Sequence, residues 1–167
     1  MIQKCSLLHQ LKKLNKLYND ALLGGDNELP KYYSRLAVLE LGSWVEECMD
    51  DIVKCYPRRK KIREISNRQY IDDIVINNSG FDYNDNFRKM LKRISGIIIL
   101  ECVEKRMNST LKQGLESALT KIYPERNDHA HKPIRSAPNF TSPSICISLF
   151  NDIYDGLREY EKQFKKI

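Results

Sequence analysis

The chain has 167 residues, and its 28 lysines and arginines exceed its 22 aspartates and glutamates to give a formal charge of +6. A hydrophobic share of 41% supports one folded core at this length and excludes disorder of the whole chain. Five cysteines without a Cys-x-x-Cys pair fit neither a disulfide framework nor a zinc finger, and the longest aliphatic run, Ile97-Ile98-Ile99-Leu100, is far too short to span a membrane.

Residues Met1 to Gln10 never build the apolar stretch of a signal peptide, and Lys12-Lys13 interrupts the leucines. A cytoplasmic location, with no membrane partner, is therefore expected. A pI near 9.0 favours an anionic partner.

From Leu7, the residues Leu7, Leu8, Leu11, Leu14, Leu17, Tyr18, Ala21 and Leu22 recur at three and four, which predicts a helix stopped by Gly24-Gly25. A second helix is predicted from Tyr32 to Tyr56, with Leu41, Trp44, Val45, Cys48, Met49, Ile52 and Val53 on one face and Pro57 as its end. Trp44, Tyr32 and Tyr33 are expected in the core. The charged stretch Arg58 to Arg63 opens a weaker helical segment reaching Ile76, before the turn Asn77-Asn78-Ser79-Gly80.

Asn84 or Asp85 can cap the next helix, in which Phe87, Met90, Leu91 and Ile94 share a face. The run Ile97 to Val103 suits a buried strand or a helix equally. Ser109 is expected to cap a helix that stops near Pro124, a proline-containing loop follows from Pro133 to Pro143, and Ser142 with Pro143 begins the last helix. The fold class is all-α, a single-domain bundle of five to six helices over residues 1–167.

Catalytic side chains concentrate at Glu125-Arg126-Asn127-Asp128-His129-Ala130-His131. On a helix starting at Pro124, Asn127 and His131 share a face at i and i+4, Arg126 sits at its edge, and His129 turns toward the Arg126 side. A guanidinium holds a phosphate with its fork of donors, and a neutral imidazole takes a proton from a hydroxyl or hands one to a leaving oxygen. Together they point to phosphodiester cleavage. His9, alone in a leucine-rich helix, is read as structural.

Arg126-Asn127-Asp128-His129-Ala130-His131 resembles the R-x4-6-H signature of the HEPN superfamily, in the form with a polar residue after the arginine and alanine before the histidine. Arg35 through Val53, with Ser43-Trp44-Val45-Glu46, is similar to the early helix of several prokaryotic HEPN families. The resemblance implies an all-α domain, the motif lying between the penultimate and last long helices. It also implies a metal-independent endoribonuclease of toxin–antitoxin or phage-defense type, with no cofactor, and a homodimer whose two motifs meet at one cleft. RNA is then the substrate and an antitoxin protein a partner.

In these roles His131 moves the proton, Arg126 neutralises the phosphate, and Asn127 bonds the phosphate or fixes the imidazole. Lys132 and Arg135, adjoining the motif, are the expected nucleic-acid contacts. Five residues separate Arg126 from His131, about 140° on an ideal helix, which a shared dimeric site would relieve. The HEPN subgroup paired with a nucleotidyltransferase carries a tyrosine two positions after the motif histidine. Pro133 stands there in this chain, so silencing through that tyrosine is not expected.

Other readings of the same residues are weighed beside these. Asp128, His129 and His131 could bind a metal, although residues two apart diverge on a helix. His131 could bond helix-terminal carbonyls while Arg126 pairs with Glu125 or Asp128, leaving a non-catalytic helical module that binds nucleic acid or a partner protein. The acidic residues Glu46, Glu47, Asp50 and Asp51 read as a solvated face, a role for Glu46 in orienting the motif being the other account. Arg58 to Arg63 reads as an exposed helix start or as a track for an RNA backbone.

Overall fold

A computed structural model of the chain describes residues 5–134 and 140–167. In chain order these form α1 (Cys5–Leu23), α2 (Leu29–Arg59), α3 (Ile65–Ile76), a π-helical turn (Tyr83–Arg88), α4 (Lys89–Ser95), α5 (Ile97–Arg106), α6 (Ser109–His131) and α7 (Pro143–Phe164). The expected all-α bundle is what these residues adopt. The ambiguous Ile97 run is helical, with Leu100 and Val103 buried one turn apart, which brings the described α-helices to seven. No helix among the described residues is long and apolar enough to cross a membrane.

Leu7, Leu11 and Leu14 bury one stripe of α1, as their spacing requires. The chain then reverses, and the Asp26 carboxylate accepts the backbone N–H groups of Glu28 and Leu29 at 2.7 and 2.9 Å, supplying the acceptor that the start of α2 needs. Helix α2 has 31 residues, about 46 Å at the usual rise. It packs on α1, α6 and α7 through Ala37, Val38, Leu41, Val45, Met49, Ile52 and Val53. α7 closes the core with Cys146, Phe150, Ile153, Leu157, Tyr160 and Phe164.

Several boundaries differ from expectation, each for a local reason. Pro57 lies inside α2 rather than ending it. Its ring removes one backbone donor, yet only two helical residues remain beyond it and its side is buried, so the final turn survives. The stretch Arg58 to Arg63 is thus the end of α2 and the turn after it, not the start of a helix, and α3 begins only at Ile65.

Asp82, rather than Asn84 or Asp85, caps the π-helical turn by accepting from Asn84 N and Asp85 N, both at 2.8 Å. Asn108, rather than Ser109, caps α6, accepting from Thr110 N and Leu111 N. Trp44 packs at a tilt against Phe150 with ring centroids 4.9 Å apart, and Tyr33 packs against the core, whereas Tyr32 is 52% exposed.

The change that matters most for function is at Pro124, where α6 does not stop. It runs on for two further turns to His131, so the motif belongs to the end of a long, well-anchored helix. Ile122 and His129, seven apart, lie on its buried stripe, which fixes the rotation of everything between them.

Candidate active site

Because α6 is continuous, Tyr123, Arg126, Asn127 and His131 fall on one flank at i, i+3, i+4 and i+8. They line a cleft of about 490 Å³ together with Glu46 and Asp50 of α2 and Asn78, Ser79 and Gly80 of the turn after α3. The predicted trio Arg126, Asn127 and His131 therefore meets in one concavity within a single chain. A long side chain spans the angle that the helix opens between residues 126 and 131.

Gly42 is the reason Arg126 can lie down on α2. A Cβ built at Gly42 would stand 2.6 Å from Arg126 Cγ and 3.2 Å from Phe81 Cε1, so only a bare backbone leaves room for the arginine stem. One turn along α2, Glu46 receives the guanidinium. Nη2 of Arg126 donates to both Glu46 carboxylate oxygens, at 2.9 and 2.8 Å, and Nη1 donates to Asn127 Oδ1 at 3.2 Å. The Phe81 ring lies beneath the cation, with its centroid 5.9 Å from Cζ.

This geometry corrects the reading of the acidic face. Glu46 and Asp50 line the cleft, whereas Glu47 and Asp51 are exposed. The i,i+4 repulsion between Glu46 and Asp50 is offset where Arg126 closes on Glu46. Burial pushes the Asp50 carboxyl up to about 6; Lys54 draws it down, and Glu46 and Asp51 push it further up. Asp50 thus loses its proton close to neutrality.

The opposite wall is pinned by Asn86. Its Nδ2 donates to Asn78 Oδ1 at 3.1 Å and to the Ser79 carbonyl at 3.2 Å, and its Oδ1 accepts from Asp82 N at 2.9 Å. Gly80, at φ +111°, occupies a backbone region that side chains avoid, and the Tyr123 ring fills the space where its Cβ would be.

Glu125 and Asp128, the partners of Arg126 in the non-catalytic reading, are both engaged elsewhere. Glu125 faces away from the cleft and accepts from Thr141 N and Thr141 Oγ1, both at 2.5 Å. Asp128 holds Lys132 at 2.6 Å. Lys132 is outside the cleft lining, and Arg135 lies outside the described residues. His129 is fully buried, its Nε2 3.4 Å from Glu125 Oε1 and its ring beside Phe140, rather than turned toward Arg126. His9 is exposed on α1.

Asp128, His129 and His131 do not converge, and among the described residues no group of three or more His, Cys, Asp or Glu side chains is arranged to hold a metal ion. No family model, curated protein or solved structure matches the chain.

The sequence pointed to three of the cleft residues by their chemistry. Asp50, Asn78, Ser79, Gly80 and Tyr123 were missed as site residues. Asp50 had a detectable signal, since a second carboxylate one turn from Glu46 implies either a solvated face or a facing cation. Tyr123, one turn before Arg126, read as an ordinary helical aromatic.

Proposed function

We propose that the chain is a metal-independent endoribonuclease of HEPN type, cleaving RNA through its own 2′-hydroxyl. The observation that carries this reading is the convergence of Arg126, Asn127 and His131 on one cleft. The resemblance of Arg126 to His131 to the HEPN signature adds to it. The 2′-oxygen attacks the adjacent phosphorus and the P–O5′ bond breaks. The products are a 2′,3′-cyclic phosphate and a 5′-hydroxyl.

His131 takes the proton from the 2′-hydroxyl or delivers one to the departing O5′. Arg126 has N–H groups beyond those given to Glu46 and Asn127, and a phosphate oxygen at the cleft can accept from them. Glu46 is a positioning residue, fixing the guanidinium through two bonds. DNA, which has no 2′-hydroxyl, is not cleaved. The active form is a homodimer that brings two such motifs together, and a role in a toxin–antitoxin pair or in phage defense, with an antitoxin protein as partner, follows from the resemblance.

One observation favours the rival reading of a non-catalytic binding module: the bidentate Glu46 pair already neutralises Arg126. Substituting His131→Ala separates the two. A nuclease loses about 100- to 10,000-fold in cleavage rate, the usual contribution of general acid–base catalysis, while retaining RNA affinity. Equal cleavage by the wild type and the variant would refute the ribonuclease reading, and loss of cleavage in EDTA would refute its metal independence.

A further inference from the structure

A second cavity among the described residues is larger than the cleft that contains Arg126. About 610 Å³ opens between the last turns of α2 and the body of α3. Lys54, Arg58, Lys61, Arg63 and Arg68 line it, with Asp72 as the one carboxylate among the lining residues and Pro57, Ile62 and Ile71 as its apolar wall. The volume is that of a site for a ligand rather than of a packing defect.

The turn that builds this cavity is well defined. Lys61 sits at φ 54°, in the left-handed region, and reverses the chain after α2. Arg68 Nε donates to the Ile62 carbonyl at 3.1 Å, tying the turn to α3. Its cations are only loosely compensated: Lys54 is 3.4 Å from Asp72, and Arg58, 66% exposed, is 3.7 Å from Asp51. Five like charges gathered on so few carboxylates repel one another until an anion arrives.

Position along α2 says which anion. Gly42, Glu46, Asp50, Lys54 and Arg58 are spaced four apart and form one ridge of the helix. Glu46 and Asp50 line the Arg126 cleft, and Lys54 and Arg58 line the basic cavity. From residue 46 to residue 58 the ridge rises about 18 Å, a span of a few nucleotides. A polyanion leaving the cleft along this ridge meets the basic cavity next, and the apolar wall there suits the face of a base or ribose.

We propose that this basic cavity is an exosite for the RNA strand being cleaved, holding phosphates a few nucleotides from the scissile linkage. The proposal rests on reading the Arg126 cleft as a ribonuclease site. The exosite supplies affinity and register; the chemistry stays at the cleft.

The test uses the full chain and a labelled single-stranded RNA of twelve nucleotides, 2′-O-methylated so that it binds without being cut. Arg58→Gln, Lys61→Gln and Arg63→Gln are combined; all three residues are exposed, and unchanged helicity by circular dichroism checks the fold. Losing three phosphate contacts reduces the slope of log affinity against log salt by about 2 and weakens binding about tenfold or more at moderate salt. With cleavable RNA, KM rises while kcat at saturation is unchanged.

A matched charge control, Lys12→Gln, Lys13→Gln and Lys16→Gln on α1, leaves both affinity and slope as they were. Unchanged affinity and slope in the exosite variant would overturn the proposal, as would an equal loss in the control. Tight binding of a mononucleotide that displaces the RNA would assign the cavity to a free nucleotide instead and also overturn it. The two readings fail separately. Cleavage that ignores His131→Ala removes the nuclease, whereas RNA affinity that ignores the exosite variant removes only the exosite.

Discussion

Asp50 shows how one residue's surroundings set a measurable property. Its carboxyl is raised from 3.8 to about 6, first by burial, so the native state binds more protons than the unfolded chain between about pH 4 and pH 6. Stability therefore falls as pH rises through that window and stays lower above it. A fully buried group with this shift would cost about 3 kcal/mol, which water reaching this partly buried carboxylate reduces to on the order of 1 kcal/mol. Asp50→Asn is expected to stabilise the protein by on the order of 1 kcal/mol in urea titrations near neutral pH, with the gain vanishing below about pH 4. On the proposed reading of the cleft as an RNA site, RNA affinity falls as Asp50 ionises, and Asp50→Asn abolishes that component.

Gly42 is the second residue whose effect can be separated from stability. Replacing it with alanine improves the intrinsic preference of α2 by about 1 kcal/mol, but the new methyl would lie 2.6 Å from Arg126 Cγ. Arg126 must shift, and a displacement near 1 Å at a reacting centre costs up to about 100-fold. Gly42→Ala is expected to lose about 1–2 kcal/mol of stability, overpacking against the Arg126 stem and the buried Phe81 ring outweighing the helical gain, while the cleavage rate of the folded protein falls by about tenfold or more. Unchanged cleavage would show that the seat of Arg126 on α2 does not matter.

At the scale of elements, the site depends on how α6 is seated between α2 and α7. Gly156 of α7 lets the two helices touch, since a Cβ there would stand 2.5 Å from Leu115 Cβ and 3.0 Å from the Leu111 carbonyl oxygen. The backbone oxygen cannot turn aside as a side chain can. Gly156→Ala is expected to destabilise by about 1–3 kcal/mol through overpacking, more than the helical gain of about 1 kcal/mol returns. A lower urea midpoint with unchanged slope checks it.

Elements are also where the sequence was most and least legible. Leucine spacing marked α1, and Ser142-Pro143 marked the start of α7. Pro57 and Pro124 misled, because a proline near a helix end or on an exposed flank breaks one backbone bond without undoing the packing of the turns around it. The consequence at Pro124 was large: a continuous α6 puts His129 inside and Arg126 against α2, an arrangement that local propensity cannot reveal. Motif chemistry could be read directly. Glu46 as the partner of Arg126 could not, since it depends on a contact across 80 positions of chain.

For the whole molecule, the central expectation is association. If two chains build the active nuclease, the cleavage rate per chain falls on dilution through the dissociation range of the dimer. A constant rate per chain would show that the single-chain cleft suffices. The same dilution series followed by sedimentation gives the dissociation range independently, so loss of activity by adsorption or unfolding is told apart from loss of partner.

The clasp between Glu125 and Thr141 has a further consequence for the motif. It ties the penultimate turn of α6 to the chain entering α7, and His129 is sealed in the core beside it, but His131 lies beyond both. The imidazole thus rides on the last turn of α6, and helix ends fray more readily than their interiors, while the guanidinium five residues earlier is moored to Glu46 and Asn127. Amide hydrogens near residue 131 would exchange with solvent long before those near residue 125. If RNA enters the cleft as proposed, the histidine is the group it can reorient at least cost to the bundle.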